Sequence, residues 1–226
     1  SFVLKDKQKK GISYRPLEGK ILGMIFQKPS TRTRVSFEAG MYQLGGAVIF
    51  LTTSELQLSR GETIKDSAMV LSRYLSGLVI RTYSQKNLEE FAKYASIPII
   101  NGLTDLLHPC QILADIFTIK EKLGDYRGVK VAYVGDGNNV ANSWLYGAAK
   151  LGINLSIASP RGYQPDKDIA KKAISLGYET EAKIEIFEDP FKEVEKADII
   201  YTDVWTSMGQ EKESKERKEV FKNYQI

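Results

Sequence analysis

The 226-residue sequence has a single cysteine, Cys110, and a single histidine, His108. One cysteine excludes an internal disulfide framework and fits a reducing compartment, so we expect a cytoplasmic protein. No apolar run approaches the length that crosses a bilayer, and the first residues lack the layout of a signal peptide. The net charge of +4 is mild and not concentrated in one block, so we expect neither nucleic acid nor a membrane as a partner.

Short apolar runs alternate with helical patterns along the whole chain, which predicts an α/β fold with parallel sheets. Pro98 suggests that the strand containing it lies at a sheet edge. Residues 124–128 break the pattern, which predicts two α/β domains, 1–123 and 124–226. The charged run 210–219 predicts an exposed helix. The predicted strands are 21–26, 47–51, 77–81, 97–101, 129–134, 154–158, 184–187 and 198–202, and the predicted helices include 62–74, 88–95, 110–122, 140–151 and 166–176.

The stretch Ser30-Thr31-Arg32-Thr33-Arg34 lies where the first predicted strand turns into a helix. Backbone N–H groups there lack partners and the helix dipole is positive, so hydroxyls and guanidiniums add donors to a place suited to an anion. Helix capping is the alternative interpretation, but it needs only one hydroxyl and favours acidic residues in the first turn. Two arginines placed against the dipole favour phosphate binding.

Residues 29–38, from Pro29 to Glu38, resemble the carbamoyl-phosphate motif of the aspartate/ornithine carbamoyltransferase family. The resemblance extends along the whole chain, and the later motifs resemble the ornithine-specific members. It implies a carbamoyl-phosphate domain followed by an amino-acid domain, with the active site between them. The implied reaction transfers the carbamoyl group of carbamoyl phosphate to the δ-amine of L-ornithine, giving L-citrulline and phosphate without a metal or cofactor. Residues implied to hold the phosphate are Ser30, Thr31, Arg32 and Thr33.

Two further positions follow predicted strands of the first half. Arg81 closes an apolar strand, so its guanidinium should emerge at the carboxyl end of the sheet, although an edge arginine facing solvent is an equal alternative from the residues alone. A lone histidine such as His108 is more often packed or capping than catalytic. The resemblance implies that Arg81 and His108 bind the carbonyl oxygen, with Thr33 as a further oxyanion donor, and that Gln111 holds the carbamoyl amide.

Cys110 is not interpreted as a nucleophile, because no second histidine could serve as its base. Gln57 lies in a polar stretch that could be an ordinary connection. The resemblance implies instead that this loop reaches a neighbouring subunit and that Gln57 contacts carbamoyl phosphate there. The resemblance also implies a homotrimer, or a multiple of trimers, with active sites shared between subunits.

The second half carries a glycine-containing loop, Gly135-Asp136-Gly137-Asn138-Asn139, that suggests a dinucleotide fold. The third glycine of that fingerprint is missing and no acidic residue ends the next strand, so NAD is a poor interpretation. Asp203, also after a strand, could cap a helix or receive an α-ammonium group. The resemblance implies that the amino-acid substrate is bound by Asn139, Asp203, Ser207 and Met208.

Other acceptors remain as alternatives, namely putrescine, an acylated ornithine or aspartate, as does a phosphate- or amino-acid-binding module without catalysis. The family continues beyond residue 226 with a His-Cys-Leu-Pro segment and a closing helix. From this resemblance, we expect a polypeptide that stops at Ile226 to bind carbamoyl phosphate weakly and to form essentially no citrulline.

Overall fold

The computed structural model describes residues 2–52, 61–206 and 213–226. Strands and helices alternate as expected. The strands are β1 (Ile21–Phe26), β2 (Ala47–Thr52), β3 (Gly77–Arg81), β4 (Ile99–Leu103), β5 (Lys130–Val134), β6 (Asn154–Ala158), β7 (Ile184–Phe187) and β8 (Ile199–Thr202). The helices are α1 (Phe2–Lys9), α2 (Thr31–Gln43), α3 (Ile64–Tyr74), α4 (Gln85–Tyr94), α5 (Pro109–Leu123), α6 (Asn139–Leu151), α7 (Lys167–Gly177), α8 (Phe191–Val194) and α9 (Ser214–Val220).

The first half forms a four-stranded parallel sheet in the order β2-β1-β3-β4. The chain leaves β1 for β2 on one side and then crosses to β3 on the other side of β1. The carboxyl ends of β1 and β3 are therefore a topological switch point, the place where open α/β sheets bind ligands. β4 is an edge strand, as Pro98 predicted.

The second half repeats this arrangement with a parallel sheet in the order β7-β6-β5-β8. The chain runs from β5 through β6 to β7 and then returns to β8 on the far side of β5. The second switch point is therefore formed by the carboxyl ends of β5 and β8. Each half thus has its own predicted binding edge.

The chain divides into two compact units, Ser1–Asp105 and Leu106–Ile226. Helix α5 belongs to the second unit, because Ile112, Ile116 and Ile119 are buried in the same core as α6. Gly147 permits this close approach, since a Cβ at that position would lie 2.8 Å from the Ile112 side chain. Division of the chain by substrate at residue 124 stays a prediction.

The prediction that the charged run forms an exposed helix is wrong at one residue. Within α9 the Arg217 side chain is buried, because its guanidinium is paired with the buried carboxylate of Asp136. No helix in the described parts of the chain is long and apolar enough to cross a membrane.

Candidate active site

The turn from β1 into α2 is organised by Ser30, which is the N-cap of the helix. Its hydroxyl accepts a hydrogen bond from the Thr33 backbone N–H at 3.4 Å and donates one to Thr33 Oγ1 at 2.8 Å. The capping interpretation is therefore correct for Ser30. It does not account for the rest of the motif, because Thr31 and Arg32 are exposed beyond the cap.

The two arginines of the motif have different surroundings. Arg34 is satisfied locally, with Nε donating to Glu38 at 2.8 Å and the guanidinium lying 3.8 Å from the Phe50 ring centroid. Arg32 has no hydrogen bond or ion pair with any residue that the structure describes. A solvated cation at the positive end of a helix is destabilising unless an anion is present. Arg32 is thus the arginine of this pair that is available to a phosphate.

Arg81 ends β3 directly beside Phe26, the last residue of β1, in the parallel register. Because side chains alternate along a strand, Arg81 lies on the same face as Val79, which packs with Phe37 of α2. The strand therefore directs Arg81 to the α2 side of the first switch point.

The Arg81 side chain is only 4% exposed. Burial lowers the pKa of its guanidinium, and Nε has no hydrogen-bond partner among the described residues. A buried cation without a counter-charge is costly, so a solvent-facing edge arginine is excluded and an anion-binding role is favoured.

Sequence reasoning missed Lys28, which is buried in the loop just before the motif. Its ammonium group is paired with Asp105, and it lies 4.4 Å from the ring centroid of Tyr83. The adjacent Gln27 accepts a hydrogen bond from the Thr82 hydroxyl. These contacts join the loops that follow β1, β3 and β4, and they fix the backbone from which Ser30 and Arg81 project.

His108 and Gln111 lie at the start of α5. The His108 side chain does not cap the helix; its backbone N–H instead donates to Ser143 Oγ of α6 at 2.6 Å. Gln111 Nε2 donates to Asp115 at 3.0 Å, one turn further along the helix.

The thiol of Cys110 is partly buried, and burial raises its pKa, which disfavours a thiolate nucleophile.

At the second switch point, the loop after β5 is organised by Asn138, the residue just before the predicted substrate contact Asn139. Asn138, not Asn139, is the N-cap of α6, and its Oδ1 accepts from the backbone N–H groups of Val140 and Ala141. Its Nδ2 donates to Asp203 Oδ2 at 2.9 Å. Asn139 is the first residue of α6 and is half-buried.

Asp203 is therefore held by a side chain from the neighbouring loop rather than serving as a helix cap. Its carboxylate is half-buried just after β8, where an ammonium group could approach the remaining acceptor positions. Gln57, Ser207 and Met208 lie outside the described residues.

The backbone conformation and the packing of the loop between β5 and α6 explain its two glycines. Gly135 has a φ of 144°, and a Cβ on Gly137 would lie 2.2 Å from the backbone of Gln164 and Pro165. Both positions thus require glycine for the loop to adopt this conformation and pack against its neighbour. The pattern that suggested a dinucleotide is explained by this packing.

Arg217 of α9 joins the two loops at this edge. Its Nη1 donates to Asp136 Oδ2 at 2.9 Å and to the Trp205 carbonyl at 2.8 Å, and its Nε donates to Glu213 at 3.0 Å. Burial raises the pKa of Asp136, and the Arg217 guanidinium opposes that rise. The loop after β5 and the loop after β8 are consequently held by one guanidinium.

A cavity of about 620 Å³ lies at the opposite, amino end of the second sheet. Its lining includes Arg127, Lys150, Glu179 and Glu181, and none of the described site residues borders it. Across the described ranges, no group of three or more potential metal ligands is placed to hold an ion.

Comparison with known families gives two consecutive matches along the chain. Residues 1–121 match the carbamoyl-phosphate-binding domain of aspartate/ornithine carbamoyltransferases, and residues 127–226 match the aspartate/ornithine-binding domain. The chain belongs to the aspartate/ornithine carbamoyltransferase family. The fold class and the family expected from the motifs are thereby confirmed.

The individual proteins to which the chain is similar have a narrower description than the family, since those named here are ornithine carbamoyltransferases. The chain is 55% identical over 223 residues to an ornithine carbamoyltransferase of Syntrophus aciditrophicus, a match covering 99% of this chain and 73% of that protein. It is 56% identical to one from Oceanobacillus iheyensis, covering 99% and 69%. A solved ornithine carbamoyltransferase structure from Pyrococcus furiosus has a TM-score of 0.94 and 54% identity, covering 99% of this chain and 72% of that one.

Proposed function

We propose that this chain transfers the carbamoyl group of carbamoyl phosphate to the δ-amine of L-ornithine, giving L-citrulline and phosphate (EC 2.1.3.3). One observation carries the proposal. The switch point of the first sheet presents Arg32 and Arg81 without a counter-charge among the described residues, and the switch point of the second presents the carboxylate Asp203. The first set suits a phosphorylated substrate, and the second suits an amino acid.

In this proposal the phosphate is held at the start of α2. The hydroxyls of Ser30, Thr31 and Thr33 and the Arg32 guanidinium donate to the phosphate oxygens, together with backbone N–H groups of the first helical turn. These groups stay in place as the phosphate departs, so they stabilise the leaving group as well as the bound substrate.

The carbonyl oxygen is assigned to Thr33, Arg81 and His108. As the neutral δ-amine attacks the carbonyl carbon, a C–N bond forms and negative charge develops on this oxygen. The C–O bond to phosphate then breaks, the electron pair leaves with the phosphate, and the amine gives up a proton to the departing phosphate. Each positioned donor to such an oxyanion is worth about 2–4 kcal/mol. Much of the remaining rate comes from holding two small substrates together.

Gln111 is assigned to the carbamoyl amide and Asp203 to the α-ammonium group of ornithine. Asn139, Ser207 and Met208 complete the proposed amino-acid site, and Gln57 completes the carbamoyl-phosphate site of a neighbouring subunit. A homotrimer, or a multiple of trimers, is the assembly that the resemblance to the family implies for such a shared loop. A cytoplasmic location is inferred from the cysteine content.

The acceptor is tested with the purified full-length protein. Citrulline formation from carbamoyl phosphate and ornithine should be accompanied by one phosphate per citrulline, with little or no product from putrescine, N-acetylornithine or aspartate. Preference for one of these amines would replace the acceptor assignment. Binding of both substrates without any product would favour a non-catalytic module.

The role of Asp203 is tested by Asp203→Asn, which removes the charge and nearly preserves the shape. We expect the ornithine KM to rise by about tenfold or more, because an ammonium–carboxylate bond is lost. Carbamoyl-phosphate binding, measured by calorimetry, should stay nearly intact. Equal loss of both substrates would contradict the assignment of this residue to the acceptor alone.

A further inference from the structure

Gln111, on the first turn of α5, belongs to a chain of hydrogen-bonded side chains. Its Nε2 donates to Asp115 Oδ1 at 3.0 Å, and the other oxygen of the same carboxylate, Oδ2, accepts from the Tyr201 hydroxyl at 2.9 Å. Gln111 is exposed, whereas Asp115 and Tyr201 are half-buried. An exposed amide is thus connected through a carboxylate to a strand of the second sheet.

The Tyr201 end of this connection is rigid. Its ring stacks on Tyr133 of β5 with centroids 5.7 Å apart, and it packs edge-to-face against Trp144 of α6 at 5.3 Å. Both neighbours are fully buried. Tyr201 therefore fixes Asp115 from the protein interior, and its strand continues directly to Thr202 and Asp203.

The carboxylate determines which way round the Gln111 amide lies. An ionised carboxylate can only accept hydrogen bonds, so the amide NH₂ must face Asp115 and the amide carbonyl oxygen must point away from it. In the reverse orientation two acceptor oxygens would face each other, and the hydrogen bond would be lost. The chain thus presents Gln111 Oε1, an acceptor, as its outward group.

We propose that Asp115, held by Tyr201, is a positioning residue that orients the Gln111 amide so that its carbonyl oxygen accepts from the carbamoyl NH₂ group. This inference rests on the proposed function, in which Gln111 binds the carbamoyl amide. Asp115 itself contacts no substrate. Its effect is to make Gln111 select a ligand group that donates, which distinguishes carbamoyl phosphate from phosphate or an acyl phosphate without an NH₂ group.

The test compares Asp115→Asn with wild type in the full-length protein. Asparagine keeps the shape but can both donate and accept, so it no longer dictates the Gln111 orientation. We expect the KM for carbamoyl phosphate to rise about tenfold, equivalent to the loss of one good hydrogen bond. Inhibition by inorganic phosphate, which has no NH₂ group, should keep its wild-type constant. A general structural defect would weaken both.

Two variants sharpen the assignment. Tyr201→Phe keeps the ring packing and removes the hydroxyl, so it should raise the same KM by a smaller factor, about threefold. Glu121→Gln neutralises the exposed carboxylate at the other end of α5 and should leave every constant unchanged. Circular dichroism and thermal unfolding would establish that each variant keeps the fold.

A double-mutant cycle separates action through Gln111 from an independent effect. In a Gln111→Ala background, Asp115→Asn should add nothing to the KM for carbamoyl phosphate. Additive effects, or an Asp115→Asn enzyme with wild-type KM, would overturn the positioning role. If Gln111→Ala itself leaves this KM unchanged, the assignment of Gln111 in the proposed function falls instead. Absence of citrulline from the wild-type protein would refute the function as a whole.

Discussion

At Arg81, the side chain that suits the binding of an anion is unfavourable for the stability of the ligand-free fold. Its guanidinium is buried with no ion pair to the described residues, an arrangement that costs free energy in the ligand-free protein. In the proposed function, an arriving phosphate or carbonyl oxygen supplies the missing acceptor. The proposal therefore explains this position by the ligand and not by the fold.

From this opposition we expect Arg81→Met to stabilise the ligand-free protein by about 1 kcal/mol, because an apolar side chain of similar length replaces a buried cation. The same variant should lose nearly all turnover. Urea denaturation with and without phosphate measures the first effect, and phosphate should stabilise the wild type more than the variant. A variant that is clearly less stable than wild type would show that Arg81 is satisfied without ligand.

Arg32 and Arg34 form a matched pair, since they are two residues apart on the same helix and, among the described residues, Arg34 alone of the two has a side-chain partner. Arg32→Ala should cut kcat/KM for carbamoyl phosphate roughly a hundredfold, about 3 kcal/mol. Arg32→Lys should restore little, because a point charge does not reproduce a bidentate fork.

Arg34→Ala is the control for this prediction, and it should have a much smaller effect on kcat/KM because it removes an ion pair with Glu38 and the contact with Phe50. Steady-state citrulline assays with varied carbamoyl phosphate measure all three variants. Equal effects of the two alanine variants would argue against a specific phosphate contact at Arg32.

At the scale of elements, α9 contributes one buried side chain, Arg217, and this side chain contacts both loops of the second switch point. Arg217→Met would leave the buried Asp136 carboxylate without its counter-charge and should destabilise the protein by about 3 kcal/mol. The double variant Arg217→Met/Asp136→Leu should recover much of this loss, because no buried charge remains unpaired. Chemical denaturation monitored by circular dichroism measures both.

Lys218→Met, on the exposed side of α9, is the matched control and should change stability by less than about 0.5 kcal/mol. Comparable destabilisation by the two single variants would contradict the importance of the buried pair.

The bounds of strands and helices could be predicted where the local sequence pattern is strong. β1, β3, β6 and β7 have the predicted bounds because each is a short apolar run ended by polar or turn residues. α4 begins at Gln85, three residues earlier than its first apolar residue, Leu88, because Ser84 caps it. Helix starts set by a side-chain cap are less visible than apolar periodicity.

The partners of charged residues could not be predicted in the same way. Arg217 and Asp136 are 81 residues apart, and nothing in a charged run indicates that one member is buried against a distant carboxylate. Asp115 is likewise an ordinary helical acid until the fold brings Tyr201 to it. The motif positions were predictable because they follow strand ends, but the groups that orient them depend on tertiary packing.

At the scale of the whole molecule, the proposed sharing of active sites leads to a complementation experiment. Under that proposal, Arg32→Ala should disable a subunit's own phosphate site, whereas Gln57→Ala should disable the site of its neighbour. In a cyclic trimer that contains both variants, roughly one site in three has both residues intact.

Each variant alone should therefore be nearly inactive, and a mixture reassembled at equal amounts should recover about a quarter of wild-type activity. Sedimentation analysis of the same samples gives the assembly size. A mixture no more active than its components, in a confirmed trimer, would place both residues in the same subunit's site.

The position of His108 at the start of α5 has a practical consequence for spectroscopy. Because residues 1–226 contain one imidazole, a polypeptide of these residues gives one set of histidine ring-proton resonances, and no mutagenesis is needed to assign them. That imidazole lies three residues before Gln111, on the helix proposed to contact the carbamoyl group. A titration of that polypeptide followed by NMR would thus observe the histidine of the proposed reaction centre directly, without signals from other histidines.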